Sequence, residues 1–268
     1  MTKIRTGFIG IGSQGAPMAL RMLGAGFPLL VWARRPEAAA TLVAAGGEVL
    51  PSVEELGAAC DHIGVCVVND ADVKEVCGRL VPAMRPGSLL AIHSTILPET
   101  VAEIAAECEK RGVHCLDAPV SGGAPGAEAG TMTVMCGGTQ EAFDQAGPVL
   151  RSFGKLIVLL GEPGAGQRAK IINNTLMGAH MGLAQAALGA GDALGIDRAA
   201  LAELVNASSG RSFGFEVYAR LPRPEAFAHG GALLLKDAHL LASILPGDPR
   251  TDRLVQDAEY FLLDTQKG

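Results

Sequence analysis

The chain has 268 residues, of which 49% are hydrophobic, with a formal net charge of −6 and a pI near 5.5. This length exceeds that of a typical compact domain, so we expect one large domain or two unequal ones. Proteins that bind a phosphate backbone carry a concentrated basic face, so the acidic balance argues against a nucleic-acid partner.

The amino terminus and the cysteines both favour a cytoplasmic protein. No long apolar segment with a cleavage site follows Met1, so we expect no export signal. The six cysteines form no C-x-x-C pair and lie mostly in apolar runs, which favours buried free thiols. The long apolar stretch at 175–195 contains His180, Gln185 and Asp192, so it predicts a buried helix of a soluble protein and not a membrane span.

Short apolar runs alternate with helical patterns from the start of the chain to about residue 161. This alternation is typical of strand–helix–strand units joined by right-handed crossovers in a mainly parallel sheet. The predicted strands are residues 4–9, 29–32, 63–68, 89–92, 113–116, 133–136 and 155–160. The predicted helices lie around residues 17–25, 36–45, 73–77, 98–111 and 140–153.

Strand patterns end at Gly161, and nearly everything from there to Lys267 predicts helix. We therefore predict an α/β domain at 1–161 with a doubly wound parallel sheet, followed by an all-α domain at 162–268. Residues 165–194 are apolar on several faces, so this helix needs cover from a second subunit as well as from its own domain. The expected assembly is a homodimer or a homotetramer.

The first motif is a glycine-rich turn between a predicted strand and a predicted helix, Gly10-Ile11-Gly12-Ser13-Gln14-Gly15. In a Rossmann-type domain the first glycine turns the chain, the second lets the backbone approach a pyrophosphate, and the third packs helix on strand. The helix amides and dipole then hold the phosphates. The alternative is an ordinary glycine-rich turn, but the strand and helix around it favour dinucleotide binding.

The second motif follows the next predicted strand, where enzymes that use NAD usually carry an acidic residue for the ribose hydroxyls. Arg34 and Arg35 stand there instead. A guanidinium can pair with a 2′-phosphate through two hydrogen bonds, so this position predicts NADP, with NAD as the alternative cofactor. One or both arginines could instead be ordinary solvated charges.

The third motif is the segment 117–130, in which small residues surround Ser121. Backbone amides of such a loop can converge on a carboxylate, and the hydroxyl adds a hydrogen bond, so the segment predicts a site for a small carboxylate substrate. Its glycines and prolines would equally suit a plain turn-rich connection.

The fourth motif opens the long predicted helix and contains Lys170 and Asn174 on one helix face, a single turn apart. A helix start and partial burial both make an ammonium give up its proton more easily, which lowers the lysine pKa. Lys170 is therefore the predicted general acid or base. Most lone lysines are solvated, but apolar residues and glycines flank this one.

Together these segments resemble the β-hydroxyacid dehydrogenase family, which includes 3-hydroxyisobutyrate dehydrogenase, tartronate semialdehyde reductase and succinic semialdehyde reductases. The resemblance covers nearly the whole chain. It rests on residues 7–19, on Ser94-Thr95 followed by Pro98, on 117–130, and on 206–212. It implies hydride transfer between NADP(H) and a small β-hydroxy acid or its semialdehyde, without a metal, and a carboxyl-terminal domain like that of 6-phosphogluconate dehydrogenase.

The resemblance also implies roles for individual residues. Lys170 would be the catalytic lysine and Asn174 its partner. The substrate would be anchored by Ser121, Gly122 and Gly123. Besides the glycine-rich turn and the two arginines, the cofactor would be contacted by Val67, Val68, Thr95 and Lys236.

Three positions depart from the family pattern. His93 replaces a common Asp, Gln185 replaces a common Glu, and His229 lies where an aromatic residue is usual. They indicate an unusual substrate, although a satisfied core or loop position suits both histidines better than acid–base chemistry. Two other functions stay open: an imine reductase, which shares this architecture but usually lacks the lysine, and a silent dinucleotide-binding module.

Overall fold

The computed structural model describes residues 4–267 and divides into two compact units, Met1–Lys170 and Ile171–Gly268. Residues 1–3, on which the interpretation of the amino terminus partly rests, and Gly268 lie outside the described residues. Within 4–267, no helix combines the length and the hydrophobicity needed to cross a membrane.

The first unit alternates strands and helices, as the periodicity predicts. Its strands are β1 (Thr6–Ile9), β2 (Leu29–Trp32), β3 (Glu48–Val49), β4 (His62–Val65), β5 (Leu89–Ile92), β6 (His114–Asp117), β7 (Val120–Ser121), β8 (Met132–Gly138) and β9 (Gly154–Leu159). Its helices are α1 (Gly15–Gly24), α2 (Ala40–Ala44), α3 (Val53–Ala59), α4 (Asp70–Leu80), α5 (Pro98–Glu109), α6 (Gly123–Ala129) and α7 (Gln140–Leu150).

The strands form a sheet in the order β3-β2-β1-β4-β5-β6-β8-β7, with β9 paired to β8. Each strand from β3 through β2, β1, β4 and β5 to β6 is parallel to the next one in this order, whereas β8 is antiparallel to both β6 and β7. Alternate residues of β5 enter different hydrophobic clusters, with Leu89 and Ala91 in one and Leu90 and Ile92 in the other. Apolar cores therefore cover both sheet faces, and the predicted doubly wound Rossmann-type domain is confirmed.

The segment 117–130 is not the continuous loop that its glycines and prolines predict. It contains β7 and the short helix α6. The backbone turns between them at Gly122, whose φ is 133°, and Gly130, whose φ is 68°, follows the last residue of α6 as its C-cap. These glycines mark the two boundaries of a helix, since side chains rarely adopt such angles.

The second unit is helical, as predicted. The long helix α8 (Ala165–Ala193) begins in the first unit and continues into the second, which also contains α9 (Arg198–Ala207), α10 (Phe213–Ala219), α11 (Ala228–Ile244) and α12 (Pro249–Leu262). Sequence patterns place the domain boundary at 161/162, before α8. The compact units instead divide between Lys170 and Ile171, because the first turn of α8 is bonded to the end of β6.

Candidate active site

A cleft of about 420 Å³ lies at the carboxyl ends of β1, β2 and β4. The parallel strands bring three predicted cofactor segments to its wall: the glycine-rich turn, the two arginines after β2, and Val67 and Val68 after β4. Ligands of open α/β sheets bind at this edge, beside the first strand. The structure therefore gathers these predicted residues around a space suited to a nucleotide.

Each glycine of the turn meets a different steric demand. Gly10 has a φ of 91°, and a Cβ there would overlap the carbonyl oxygen of Cys66. A Cβ on Gly15 would overlap the carbonyl oxygen of Gly10, whereas a Cβ on Gly12 would have nothing within 4 Å. Gly10 and Gly15 thus permit close backbone packing, and Gly12 leaves room for a ligand.

Ser13 and Gln14 complete the turn and precede α1. Gln14 occupies the N-cap position, but its side chain makes no capping hydrogen bond. The first amides of a helix need acceptors from elsewhere, and an anion at this end also interacts favourably with the helix dipole. The turn therefore fits the pyrophosphate of a dinucleotide.

The two arginines have different surroundings. Arg34 Nη2 donates to Asp72 Oδ1 at 2.9 Å and to Glu75 Oε2 at 2.7 Å, both on α4. Arg35 is exposed and has no ion pair with any other residue in 4–267. A phosphate beside Arg34 must therefore share this guanidinium with two carboxylates. At Arg35 no carboxylate of the described residues competes with a phosphate for the guanidinium.

The loops after β4 and β5 are joined by a hydrogen bond. The amide of Val67 donates to Ser94 Oγ at 2.8 Å. Ser94 is buried and the next residue, Thr95, is half-buried. Thr95 therefore comes directly after a residue that is hydrogen-bonded to Val67 in the wall of the cofactor cleft.

Asp117, the last residue of β6, caps the start of α8. Its Oδ1 accepts the amide of Gly164 at 2.7 Å and its Oδ2 accepts the amide of Gln167 at 2.8 Å. Burial raises the pKa of this carboxyl to about 6, while the two amide hydrogen bonds act in the opposite direction. The group is therefore ionised at neutral pH, in the state that accepts both hydrogen bonds.

Lys170 lies in the second turn of α8 and is 8% exposed, unlike a solvated surface lysine. Asn174 follows one turn later, inside the second unit. There its amide donates to Asp237 Oδ2 at 2.6 Å, and Asp237 Oδ1 lies 3.2 Å from Lys236 Nζ. Asp237 is itself buried, so one carboxylate holds both Asn174 and Lys236.

The predicted substrate anchors lie where β7 gives way to α6. Ser121 ends β7 and is half-buried, Gly122 turns the chain, and Gly123 opens α6. The structure therefore keeps these three residues together, although in a strand–helix turn and not in a long loop.

Of the three positions that depart from the family pattern, His93 and Gln185 have hydrogen-bond partners in the structure. His93 is buried, its Nδ1 lies 2.8 Å from the carbonyl oxygen of Ala118, and burial lowers its pKa to about 4. It is thus a neutral core histidine, as preferred from the sequence. The amide of Gln185 donates to Asp264 at 3.0 Å, whereas His229 is exposed on α11.

Sequence reasoning missed four polar residues that form hydrogen bonds with predicted site residues or with residues beside them: Asp72, Asp117, Gln167 and Asp237. Two of them lie next to predicted residues, since Asp117 opens the segment 117–130 and Asp237 follows Lys236. The pairing of Asp72 with Arg34 joins residues far apart in the sequence and carries no local pattern. No group of three or more His, Cys, Asp or Glu side chains able to hold a metal occurs within 4–267.

Two family models match consecutive parts of the chain. The NAD-binding domain of 6-phosphogluconate dehydrogenase matches residues 5–161. The NAD-binding domain of NADP-dependent 3-hydroxyisobutyrate dehydrogenase matches residues 164–245. The first match ends and the second begins just before α8, inside the first unit.

Individual proteins give the same picture. The chain is 35% identical to 2-(hydroxymethyl)glutarate dehydrogenase of Eubacterium barkeri over 216 residues, which is 80% of this chain and 72% of that protein. It is 36% identical to the mitochondrial 3-hydroxyisobutyrate dehydrogenase of Bos taurus over 224 residues, 82% of this chain and 67% of that protein. The solved structure of Mycobacterium tuberculosis 3-hydroxyisobutyrate dehydrogenase with L-serine superposes with a TM-score of 0.86 at 28% identity, covering 99% of this chain and 96% of that one.

Proposed function

We propose a specific reaction for this chain, which belongs to the β-hydroxyacid dehydrogenase family and is an NAD(P)-dependent 3-hydroxyacid dehydrogenase. It interconverts a small β-hydroxy acid and its semialdehyde, with NADP(H) as the cofactor and Lys170 as the general acid or base. The observation that carries the proposal is the burial of Lys170 close to the start of α8, in the same unit as the nucleotide cleft. An ionisable side chain that is buried in the same unit as a cleft is a candidate for a chemical role. The substrates are expected among those of the named relatives: 3-hydroxyisobutyrate, 2-(hydroxymethyl)glutarate or acids of similar size.

The chain's own residues would bind the substrate and move one proton. When bound, the nicotinamide supplies the hydride for reduction or accepts it in oxidation. In reduction, Lys170 gives the proton on Nζ to the carbonyl oxygen of the semialdehyde, and in oxidation neutral Lys170 takes it from the hydroxyl. By family resemblance, Asn174 orients the lysine and the reacting oxygen.

The substrate carboxylate is assigned to the turn between β7 and α6. Ser121 offers a hydroxyl donor, and Gly122 and Gly123 offer backbone amides on residues that carry no side chain of their own. Thr95, Val67, Val68 and Lys236 are assigned to the cofactor on the same family resemblance.

A substrate panel tests this function. Purified protein should oxidise NADPH when given C3 to C5 semialdehydes that carry a carboxylate, and should reduce NADP when given the matching 3-hydroxy acids. A cyclic imine is the informative control, because turnover of the imine alone would identify an imine reductase. Cofactor binding without turnover of any compound would identify a silent binding module.

The cofactor preference is proposed from the arginines after β2. No acidic residue occupies the usual ribose position, and Arg35 has no carboxylate partner among the described residues. A charge-assisted contact to a phosphate is worth about 1.5–3 kcal/mol. NADPH should therefore bind more tightly than NADH.

Replacing Arg34 and Arg35 by Asp and Ala should invert this preference in a direct titration. The single variants separate the two side chains. Arg35→Ala should weaken NADPH binding by about 10–100-fold with little change for NADH, from the value of one charged hydrogen bond. Arg34→Ala frees Asp72 and Glu75 to repel a phosphate, so it should also weaken NADPH binding. A wild-type enzyme that favours NADH would contradict the phosphate assignment.

We also propose a homodimer or homotetramer that covers apolar side chains of the helical unit. Within that unit Leu183 on α8, Leu204 on α9 and Phe213 on α10 are 56%, 60% and 70% exposed. A second subunit that packed against this unit would remove these side chains from water. Light scattering should report at least a dimer, and a monomer at micromolar concentration would contradict the proposal.

A further inference from the structure

Gln167 has an unusual position for a polar side chain. It is fully buried within the first unit, and all of its described side-chain hydrogen bonds go to the backbone after β5. Its Oε1 accepts the amide of Ile96 at 3.0 Å, and its Nε2 donates to the carbonyl oxygen of Ser94 at 2.9 Å. These two backbone groups flank Thr95, so one amide side chain holds the backbone on both sides of that residue.

Gln167 is itself held from the other direction. Its backbone amide donates to Asp117, which also accepts the amide of Gly164. The glycine between these two donors allows the close approach, because a Cβ at Gly166 would overlap the carbonyl oxygen of Met135 and lie 2.8 Å from Asp117 Oδ2. The start of α8 is therefore bonded to the end of β6 in one arrangement.

We propose that Asp117 and Gln167 are positioning residues of the reaction, which fix the loop carrying Thr95 to the first turns of the helix carrying Lys170. The proposal rests on the proposed role of Lys170. Lys170 follows Gln167 by three positions, so it lies on the adjoining turn of the same helix face. The hydrogen bond from Val67 to Ser94 extends the network to the wall of the nucleotide cleft.

The physical reason is the strict geometry of proton transfer. A misplacement of about 1 Å in a reacting group can lower a rate by about 100-fold. Buried hydrogen bonds to backbone atoms resist such displacement, because breaking one leaves an unpaired polar group in the interior. The network thus acts on turnover through Lys170 and Thr95, although neither Asp117 nor Gln167 need touch the substrate.

The test uses Gln167→Met, which removes both side-chain hydrogen bonds at nearly constant volume, at a temperature where the variant is folded. We expect turnover to fall by about 10–100-fold while the NADPH dissociation constant stays within about threefold. With NADPH deuterated at the transferred position, the isotope effect on turnover should rise towards its intrinsic value. In the cofactor-free enzyme, amide hydrogen exchange at 94–97 should become faster.

Gln145→Met is the matched control. Gln145 donates to the carbonyl oxygen of Gly87 at 2.9 Å, so the same substitution also removes a bond between a side chain and the backbone. It should leave turnover and the isotope effect unchanged. Asp117→Asn is a milder second variant, because its NH₂ group would face the donating backbone amide of either Gly164 or Gln167 and lose that hydrogen bond. It should also lower turnover.

The outcomes separate this proposal from the proposed function. If either folded variant keeps wild-type turnover and wild-type exchange at 94–97 while Lys170→Ala is inactive, the positioning role is wrong and the function stands. If Lys170→Ala itself retains turnover, the proposed function is wrong. Lower thermal stability with unchanged turnover would also overturn the positioning role, because it would show a purely structural one.

Discussion

Lys170→Ala should lower turnover by roughly 10²–10⁴-fold, the usual contribution of a general acid or base. NADPH affinity should change little, because no cofactor contact is assigned to this side chain. Lys170→Met refines the experiment, since it keeps most of the buried volume and removes only the ammonium. Stopped-flow measurement of the hydride step, together with a cofactor titration, separates chemistry from binding.

Two further variants serve as controls for this experiment. Lys170→Arg should restore little activity, because a guanidinium keeps its proton at any working pH and has a different shape. Asn174→Ala should lower turnover less than Lys170→Ala does, because Asn174 transfers no proton. Retention of most turnover by Lys170→Ala would mean that another group supplies the proton. His93 is then a poor substitute, because it is buried and its lowered pKa of about 4 keeps it neutral.

Alanine substitutions in the glycine-rich turn should separate folding from cofactor binding. Gly10→Ala should lower the free energy of unfolding by about 2–5 kcal/mol, since it combines backbone strain with overlap against Cys66. Gly12→Ala should leave stability within about 1 kcal/mol, because its Cβ meets open space and suffers no such overlap. Gly12→Ala should instead weaken cofactor binding and raise the NADPH dissociation constant by roughly 10–100-fold.

The measurements are denaturant unfolding without cofactor and titration with NADPH. Gly15→Ala is the companion of Gly10→Ala, because its Cβ would overlap the carbonyl oxygen of Gly10. A Gly12→Ala protein that binds NADPH as tightly as the wild type would place the pyrophosphate elsewhere. Equal stability losses at all three positions would contradict the distinct steric demands described above.

The central strands β1, β4 and β5 could be predicted well because they are buried along their whole length and lie in apolar runs. β2 and β5 begin and end where the sequence predicts them. Short elements were missed for identifiable reasons. β3 has only two residues, and the glycines of α6 conceal its helical character. α3 carried a usable pattern, since Ser52 accepts the amide of Glu55 in a capping arrangement that can be recognised from the sequence.

The contacts around the site were less predictable than its residues. Asp117 reaches Gln167 across 50 positions, and Arg34 reaches Asp72 across 38. Such pairs depend on how the strands and helices are arranged in space, which local patterns do not encode. Local patterns therefore predict Lys170 and the arginines as candidate site residues, but not the carboxylates that form hydrogen bonds with Arg34 or with the start of α8.

The most direct test of the central claim follows the transferred hydrogen. NADPH that carries deuterium at both positions of nicotinamide C4 is incubated with a carboxylate-bearing C3 to C5 semialdehyde, and the product is analysed by mass spectrometry. The account predicts one deuterium on the hydroxyl-bearing carbon of the 3-hydroxy acid with the wild-type enzyme, and loss of this product by a factor of about 100 or more with Lys170→Met. An unlabelled product, or equal labelled product from both proteins, would contradict it.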